Sequence, residues 1–423
     1  MKSKTLTYIA AMTLFAALAI PVRLAAHGQK QAPPHYTVTD LGTLGGTFSE
    51  AVGINNKTSV VGFSTLPGDQ SVHAFLWRKG VITDLGTLGG PDSIPSFSPF
   101  SEGGAVGGGA ETSTPDPNGA DFCFFGTQLI CLPVIWHDGA ITVLPTLGGN
   151  NAVVNQVNNR GQGAGVAENT TLGPTCFAPT NVLEFKPVLY EKGEIQELPT
   201  VSADPVGVAL AINDKGQAAG FSFNCTDGHP LLWQNGTPTD LGSLGGTFGV
   251  ASAINNQGQV AGQSNLPGDT TAHAFLWQKG VMTDLGTLSG DSTALGINNK
   301  TQVVGDSCDA NGCRAILWQG GGMTDLNTLI PADSPWFLFD ADTINARGEI
   351  VGHGFQISAG EVHGYLAIPS NGEASNESVT TAALRGQSGQ RPKVVLPENV
   401  SKMLRQRLNH RYHIPGLGAS PRD

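Results

Sequence analysis

Apolar and polar positions alternate in short runs along most of the chain, and the runs recur in sets of four. The clearest example is residues 271–290, TAHAFLWQKGVMTDLGTLSG, which returns nearly unchanged at residues 71–90 as SVHAFLWRKGVITDLGTLGG. Each set starts with a small, apolar strand ending in Ile-Asn (51–55, 252–255, 294–298), followed by a tight turn. A second strand ends near Gly-x-Ser (60–64, 260–264, 303–307) and leads into a loop of variable length. The third strand is His-Ala-Phe-Leu-Trp or a variant (73–77, 229–233, 273–277, 314–318), and a Lys-Gly turn takes it to a Thr-Asp-Leu-Gly strand. Period-two alternation rich in Val, Ile, Phe and Trp, with hairpin signals between runs, predicts one antiparallel four-stranded sheet per set.

The sets repeat at a period near 44 residues: the Asp-Leu-Gly strand falls at Asp40, Asp84, Val143, Glu197, Asp240, Asp284 and Asp325. Seven sheets in a row can stack as a solenoid or close as a ring, and the ends of the array favour the ring. An Asp-Leu-Gly strand at 36–44 has no aromatic strand ahead of it, while the last aromatic strand, HGYLA at 363–367, has no Asp-Leu-Gly strand behind it. The surplus strand should complete the last sheet, which removes the open edges of the array. The fold class expected is all-β: a seven-bladed β-propeller over residues 36–370, closed by the N-terminal strand.

At these same residues the chain resembles the HAF-repeat family of extracellular bacterial proteins, named for the His-Ala-Phe at His73 and His273. The likeness is strong in the first, fifth and sixth units. It weakens in the second, where Pro99 and Phe100 replace Ile-Asn and Val134-Ile135-Trp136 replace Phe-Leu-Trp, and in the third, with Val188-Leu189-Tyr190. The resemblance implies export and a repeat scaffold; it implies no reaction or ligand.

The ends change this picture. Residues 1–26 carry Lys2 and Lys4, an apolar run and a small-residue stretch at Leu24-Ala25-Ala26, which read as a secretory signal peptide followed by a leader at 27–35. No other apolar run is long enough to span a bilayer, so no membrane span is expected in the mature chain. Residues 371–396 read as a polar linker and 397–423 as a basic tail, with a helix plausible to about Asn409 on the stripe of Val400, Met403, Leu404 and Leu408. The net charge of −11 divides into +3 on residues 1–26, +4 on 371–423 and −18 on the body between them. An acidic body argues against a nucleic-acid partner. An exported protein, extracellular or periplasmic, and a monomer are expected.

Among recurring residues most of the chemistry dissolves into scaffold. Asn55, Asn158, Asn213, Asn255, Asn298 and Asn345 invite a reading as a ligand ring around the axis, but Asn before a tight turn is ordinary turn chemistry. His73, His229, His273 and His363 fall in different blades, so they cannot converge on one metal; each should make a buried hydrogen bond that pins a loop. Trp77, Trp136, Trp233, Trp277 and Trp318 should wedge between blades. Gly305-Asp306-Ser307 looks like a nucleophile motif until its sister copies, such as Gly62-Phe63-Ser64, show it to be a strand end. No catalytic motif is present and no catalytic residue is assigned.

Function is expected where the repeats disagree. Insertions at 91–98, 109–132, 167–186 and 330–339 should all emerge on one face. The six cysteines lie there too, and the expected pairs are Cys123 with Cys131, Cys308 with Cys313, and Cys176 with Cys225. Aromatics outside the repeat frame, Phe122, Phe124, Phe125, Trp336, Phe337 and Phe339, are candidate binding residues for a glycan or protein, or else pack the loops down. Asp69 and Asp269, in two copies of Leu-Pro-Gly-Asp, are weak candidates for calcium, the one cofactor considered. The function expected is a secreted, non-catalytic binding scaffold. The alternatives are a polysaccharide lyase or hydrolase, for which Asp92, Asp121 and Asp340 are the carboxylates in or beside the loops, and a structural surface protein without a discrete ligand.

Overall fold

The computed structural model describes residues 34–173, 183–201, 204–310 and 312–370, with backbone only at 97–99. The expected signal peptide, most of the leader, the linker and the tail helix lie outside the described residues. The body is a seven-bladed β-propeller: six four-stranded antiparallel meanders and a seventh sheet that joins the two ends of the array. There Tyr36–Asp40 pairs antiparallel with Glu361–Pro369, in the register Tyr36 to Pro369 through Asp40 to Tyr365. Blades are numbered one to seven from Ser49–Ile54, the first strand of blade one.

Blade one shows why these residues form this unit. Its strands Ser49–Ile54, Val60–Thr65, Val72–Arg78 and Val81–Asp84 go from wholly buried near the axis to mostly exposed at the rim. The first strand carries a β-bulge between Ala51 and Gly53, matched in blade five between Ala251 and Ala253. The bulge drives a first-strand carbonyl against the second strand, where only glycine fits. A Cβ on Gly62 would lie 1.9 Å from the Glu50 carbonyl oxygen, and one on Gly305 1.8 Å from that of Thr293. The Ser two residues on holds the incoming loop, its hydroxyl accepting the Leu44 N–H at 2.8 Å in blade one and the Leu244 N–H at 2.9 Å in blade five. This accounts for Gly-x-Ser, Gly305-Asp306-Ser307 included.

The core lies between blades. Trp77 packs with Val60 and Phe75 of its own blade and with Val351 and Leu366 of blade seven. Trp136 meets Val61 and Ala74 of blade one, and Trp233 meets Ala164 and Leu198 of blade three. Burying a side chain of this size contributes roughly 2–3 kcal/mol, so the aromatic column is a main source of ring stability.

The recurring Asn makes the turn expected of it and also a belt. Asn255 Oδ1 accepts the N–H groups of Gln257 and Gln259, both at 3.0 Å, while its Nδ2 donates to the Asn298 carbonyl of the next blade at 3.0 Å. The same inter-blade bond runs from Asn158 to Asn213, Asn213 to Asn255, Asn298 to Asn345, and across the closure from Asn345 to Asn55. It stretches to 3.5 Å from Asn55 to Ser101, and breaks after blade two because Phe100-Ser101, one place beyond the expected Pro99-Phe100, replaces Ile-Asn and puts Ser where Asn is needed. A second belt uses the following residue, whose N–H donates to the side chain of its counterpart in the next blade: Glu102 to Asn159, Asn159 to Asp214, Asp214 to Asn256 and Asn256 to Asn299. That belt loses its acceptor at Ala346, so each belt covers the gap in the other. Inside them a cavity of about 180 Å³ is lined by Ile54, Ile212, Ile254, Ile297 and Ile344.

The histidines close onto aspartates. His73 Nδ1 lies 2.8 Å from Asp84, and Asp84 also accepts the Gly86 N–H at 2.7 Å, pinning the loop to the next blade. His273 and Asp284 repeat this arrangement, and in blade four His229 turns instead to Asp204 at 2.8 Å. In blade seven the pair spans the closure, His363 on the C-terminal strand against Asp40 on the N-terminal one at 3.0 Å. Burial works against charge on both, but the bonds from His363 and Gly42 hold Asp40 below its usual value, and Asp40 and Glu361 hold His363 above its own.

The expected insertions are partly strand. Residues 91–98 belong to one bulged strand, Gly89–Phe100, and much of 109–132 extends the hairpin of Val106–Pro115 and Leu129–His137. Likewise Gly163–Leu172 and Leu183–Glu191 take up most of 167–186. Extra cross-strand pairs such as Glu111 with Cys131 and Leu172 with Leu183 satisfy backbone groups that a loop would leave to water. In 330–339, Trp336–Leu338 is also strand, paired with Gly354 to Gln356.

Candidate functional site

The loop-bearing face is uneven. In blades two and three the second strands run 10 residues each, against 6 in blade five. The second strands of blades six and seven run 7 residues, so at about 3.3 Å per residue the two adjacent hairpins stand roughly 10–13 Å taller than the others. The hairpin of blade two ends in loop 116–128, fastened at its base by the Asp116 N–H to the Gln128 carbonyl, 2.8 Å. Asp116 caps the start of the loop, accepting the N–H groups of Asn118 and Ala120, and Asp121 caps its end, accepting the Gly126 N–H at 2.9 Å. The Cys123–Cys131 disulfide ties the loop to its own third strand. Cys308–Cys313 links two strands directly opposite each other in blade six. Cys225 is disulfide-bonded, and its expected partner Cys176 lies outside the described residues.

The six candidate aromatics separate. Phe122, Trp336 and Phe339 are buried, and Phe125 and Phe337 half-buried, so most of the set packs the loops rather than facing a ligand. Phe122 belongs to an apolar cluster with Val153, Val208, Phe221 and Val250; Phe337 and Phe339 pack with Phe48, Phe63 and Phe355 on another arc of the ring. Phe124 differs. It is 46% exposed at φ 60°, a left-handed conformation that a bulky side chain rarely adopts, and it sits beside the disulfide. Leu172, at the tip of the blade-three strand, is 65% exposed.

Asp69 and Asp269 are turn anchors. Asp69 accepts the Thr47 N–H at 2.8 Å and the Thr65 hydroxyl at 2.5 Å, bonds that hold it below its usual value. Asp269 accepts the Thr247 N–H at 2.8 Å and the Asn265 amide at 3.0 Å. Protein donors therefore engage both carboxylates, which is what a Pro-Gly turn needs to dock on its neighbour.

A second constellation lies where the ring closes, on the inner strands of blades one and seven and the segment that links Leu338 to Thr343. Glu50 of blade one and Asp340, Asp342 and His353 of blade seven each bring a ligand atom within 4.8 Å of the others, and all four are buried. His353 Nδ1 lies 3.0 Å from Asp340 Oδ1 and 3.7 Å from Glu50 Oε2. Burial, then the charges of Asp340 and Asp342, push the Tyr365 hydroxyl well above its usual value. By donor type and spacing, these are the described residues that could hold a divalent cation. Of the four, sequence reasoning named only Asp340. A signal for the others existed: where Glu50 and His353 stand, blade four has Val208 and Phe221.

Two further buried carboxyls, Glu111 and Glu168, sit under the raised hairpins at equivalent places in blades two and three, each 1% exposed. Burial, then the like charges of Asp92 and Asp121, push Glu111 up to about 7; burial, then Asp116, does the same to Glu168. Asp92 is buried too, and raised by that burial.

No protein-family model matches the chain, and no curated protein does. Among solved structures it is similar to virginiamycin B lyase from Staphylococcus aureus, at 9% identity over 79% of this chain and 99% of that one, with a TM-score of 0.49. It is similar to YCF48 bound to a D1 peptide, at 11% identity over 82% and 98%, TM-score 0.47. It is also similar to the β-propeller domain of the Trilobed protease from Pyrococcus furiosus, at 9% identity over 73% and 91%, TM-score 0.43. Likeness at this level is one of fold alone. Among the described residues no helix is long and apolar enough to cross a membrane.

Proposed function

We propose that the protein is an exported, non-catalytic scaffold of the HAF-repeat kind that binds a glycan or protein through the raised wall of blades two and three. One observation carries this reading: Phe124 is presented to solvent in a strained backbone conformation, at the tip of a loop stapled by a disulfide and by two aspartate caps. Strain of this kind costs about 1–2 kcal/mol; the turn bond from the Phe124 N–H to the Asp121 carbonyl at 3.2 Å and the covered part of a ring that is 46% exposed offset only part of it. A rigid, exposed aromatic is what a sugar face or a protein hot spot engages at low entropic cost. The disulfides suit an oxidising compartment, which supports export by the first 26 residues. A lyase or hydrolase has less support, because Asp92 and Asp340 are buried where a polymer cannot reach them, and Asp121, the half-buried third, is engaged by the Gly126 N–H of its own loop.

The test is a glycan panel and a set of extracellular protein ligands probed with the purified mature protein, with and without calcium, alongside Phe124→Ala. A ligand whose affinity drops at least tenfold in the variant supports the proposal. Binding that is unchanged in Phe124→Ala refutes the assignment to this wall.

A further inference from the structure

We propose that loop 116–128 is held by a proton-linked latch: Glu111 and Glu168 keep it seated while they are protonated, and their ionisation releases it. If the raised wall is the binding surface, as proposed above, the latch sets the pH at which that surface is presented in its stapled form. The latch can nonetheless be tested with no partner at all.

The geometry places one carboxyl under each flank of the loop. On the blade-three side, Glu168 Oε2 accepts the Asn151 N–H at 3.0 Å and its Nδ2 at 2.9 Å. The same Nδ2 donates to Asp116 Oδ2 at 2.8 Å, so Glu168 and the aspartate that caps the loop share one amide. On the blade-two side, Glu111 Oε1 accepts the Thr127 hydroxyl near the other end of the loop. The remaining oxygens, Glu111 Oε2 and Glu168 Oε1, are buried without a well-formed hydrogen bond, and what lies beside the two carboxyls is weak or of like charge: the backbone and carboxyl of Asp92 at Glu111, and the Asn150 backbone at Glu168. A neutral carboxyl tolerates such a site far better than a carboxylate does.

The charges that face the pair are nearly all of one sign. Asp92, on the first strand of blade two, and Asp121, in the loop, bear on Glu111; Asp116, in the loop, bears on Glu168. His73 of blade one acts on Asp92, but its Nδ1 is taken by Asp84. Lys186, on the neighbouring third strand of blade three, is turned to Glu184 at 2.9 Å and to the Pro205 carbonyl. Two of the three facing carboxylates belong to the loop itself, so ionising the glutamates pushes against the loop rather than against the frame.

The sign follows from linkage. With the loop seated, both glutamates titrate near 7; in an opened loop they return to the ordinary carboxyl range. The seated state therefore binds more protons between those limits. Its advantage is full at low pH, is lost as pH rises toward 7, and is constant above.

Hydrogen exchange of the intact, disulfide-bonded protein at pH 5.5 and pH 8.0, corrected for intrinsic rates, reads this opening segment by segment. The expected result is at least a tenfold loss of protection confined to loop 116–128 at pH 8.0, and the Glu111→Gln, Glu168→Gln double variant should stay protected at both. Equal corrected protection at the two pH values would overturn the latch. So would a loss shared by blades five and six, or a double variant that keeps the wild-type pH dependence. Because no ligand enters the experiment, its failure leaves the binding role of Phe124 standing, and loss of that role leaves the latch standing.

Discussion

Asn255→Asp separates the two roles of the recurring asparagine. Aspartate is as good a turn residue as asparagine, and its oxygen can still accept from Gln257 and Gln259, so a side chain that only makes the turn tolerates the change. The belt does not tolerate it. Asn255 is 4% exposed, and its Nδ2 donates to the Asn298 carbonyl at 3.0 Å and to Gln259 Oε1 at 2.6 Å. The substitution removes both bonds and aims a carboxylate at two acceptors. The two lost bonds cost about 1 kcal/mol each, and although the Thr301 N–H and hydroxyl still serve the Asn298 carbonyl and Gln259 Oε1, a buried carboxylate turned toward these two acceptors adds up to about 2 kcal/mol, for a total of about 2–4 kcal/mol at pH 7. Urea titration followed by tryptophan fluorescence measures it as a fall in midpoint at constant slope. Protonated aspartate is a donor again, so the gap to wild type should narrow as pH falls toward 4. The folded pKa of the new carboxyl is raised, so stability is lost as pH climbs through it. Asn55→Asp is the internal control, because its inter-blade bond is already stretched to 3.5 Å, and it should cost about 1 kcal/mol less. A cost below about 0.5 kcal/mol for Asn255→Asp at pH 7 would sink the belt.

Three more outcomes follow from the same structure. Gly262→Ala should lose more than about 3 kcal/mol in the same urea assay, since its Cβ would lie 1.9 Å from the Val250 carbonyl oxygen and both strands are fixed by their neighbours. Phe124→Gly should keep or raise the melting temperature by relieving the left-handed strain, by about 1 kcal/mol, while abolishing any binding that depends on the ring; a marked fall in melting temperature would show that the ring packs instead. The His363 and Asp40 pair should clamp the N-terminal strand over a defined window. Its His363 part is fully present below the ordinary histidine value and is lost as pH rises through the raised one; its Asp40 part is present above the ordinary carboxylate value and is lost as pH falls through the lowered one. Exchange protection of Tyr36–Asp40 should therefore be greatest between about pH 4 and pH 6.5, and His363→Gln should flatten its alkaline limb.

Reading the sequence reached the ring because the evidence for it is local and repeated. The strand letters recur seven times, and a surplus strand at one end matches a deficit at the other, so the pairing of Tyr36–Asp40 with Glu361–Pro369 was legible before any coordinates. The belt was not, since each asparagine bonds a backbone carbonyl 42 or more residues away, and a carbonyl leaves no mark in a sequence. Glu50 and His353 escaped notice for a related reason: they lie 303 positions apart and meet only because the ring closes. The aromatics were over-read. Phe122 and Phe339 look exposed when they are assigned to loops, and they do lie outside the strands, but the loops fold back so that Phe122 packs with Val153 and Phe221 and Phe339 with Phe48 and Phe355. Blade two misled most, because residues 91–98 read as an inserted loop and instead lie within one strand, Gly89–Phe100, whose register shifts between Pro95 and Phe100.

The departures from the repeat fall on two arcs of the ring, and this constrains what each can be for. At one level of the ring, blades three and four and the first strand of blade five are apolar, with Val153, Val166, Val208, Phe221 and Val250 in one cluster, and Gln263 of blade five marks the edge of this arc. At the corresponding level around blades six, seven and one stand Thr293, Asp306, Asp340, His353 and Glu50, all buried. Sister blades close the same fold with valine and phenylalanine, so folding does not require the polar arc, and burying each charge costs several kcal/mol before any pairing repays it. The raised wall with Phe124 rises from blades two and three, between the apolar arc on one side and blade one of the polar arc on the other. Substitutions on separate blades with no shared contacts are close to additive. Phe124 and His353 variants can therefore be scored independently, and any coupling above about 0.5 kcal/mol between them would mean that one partner, or one conformational change, spans the whole face.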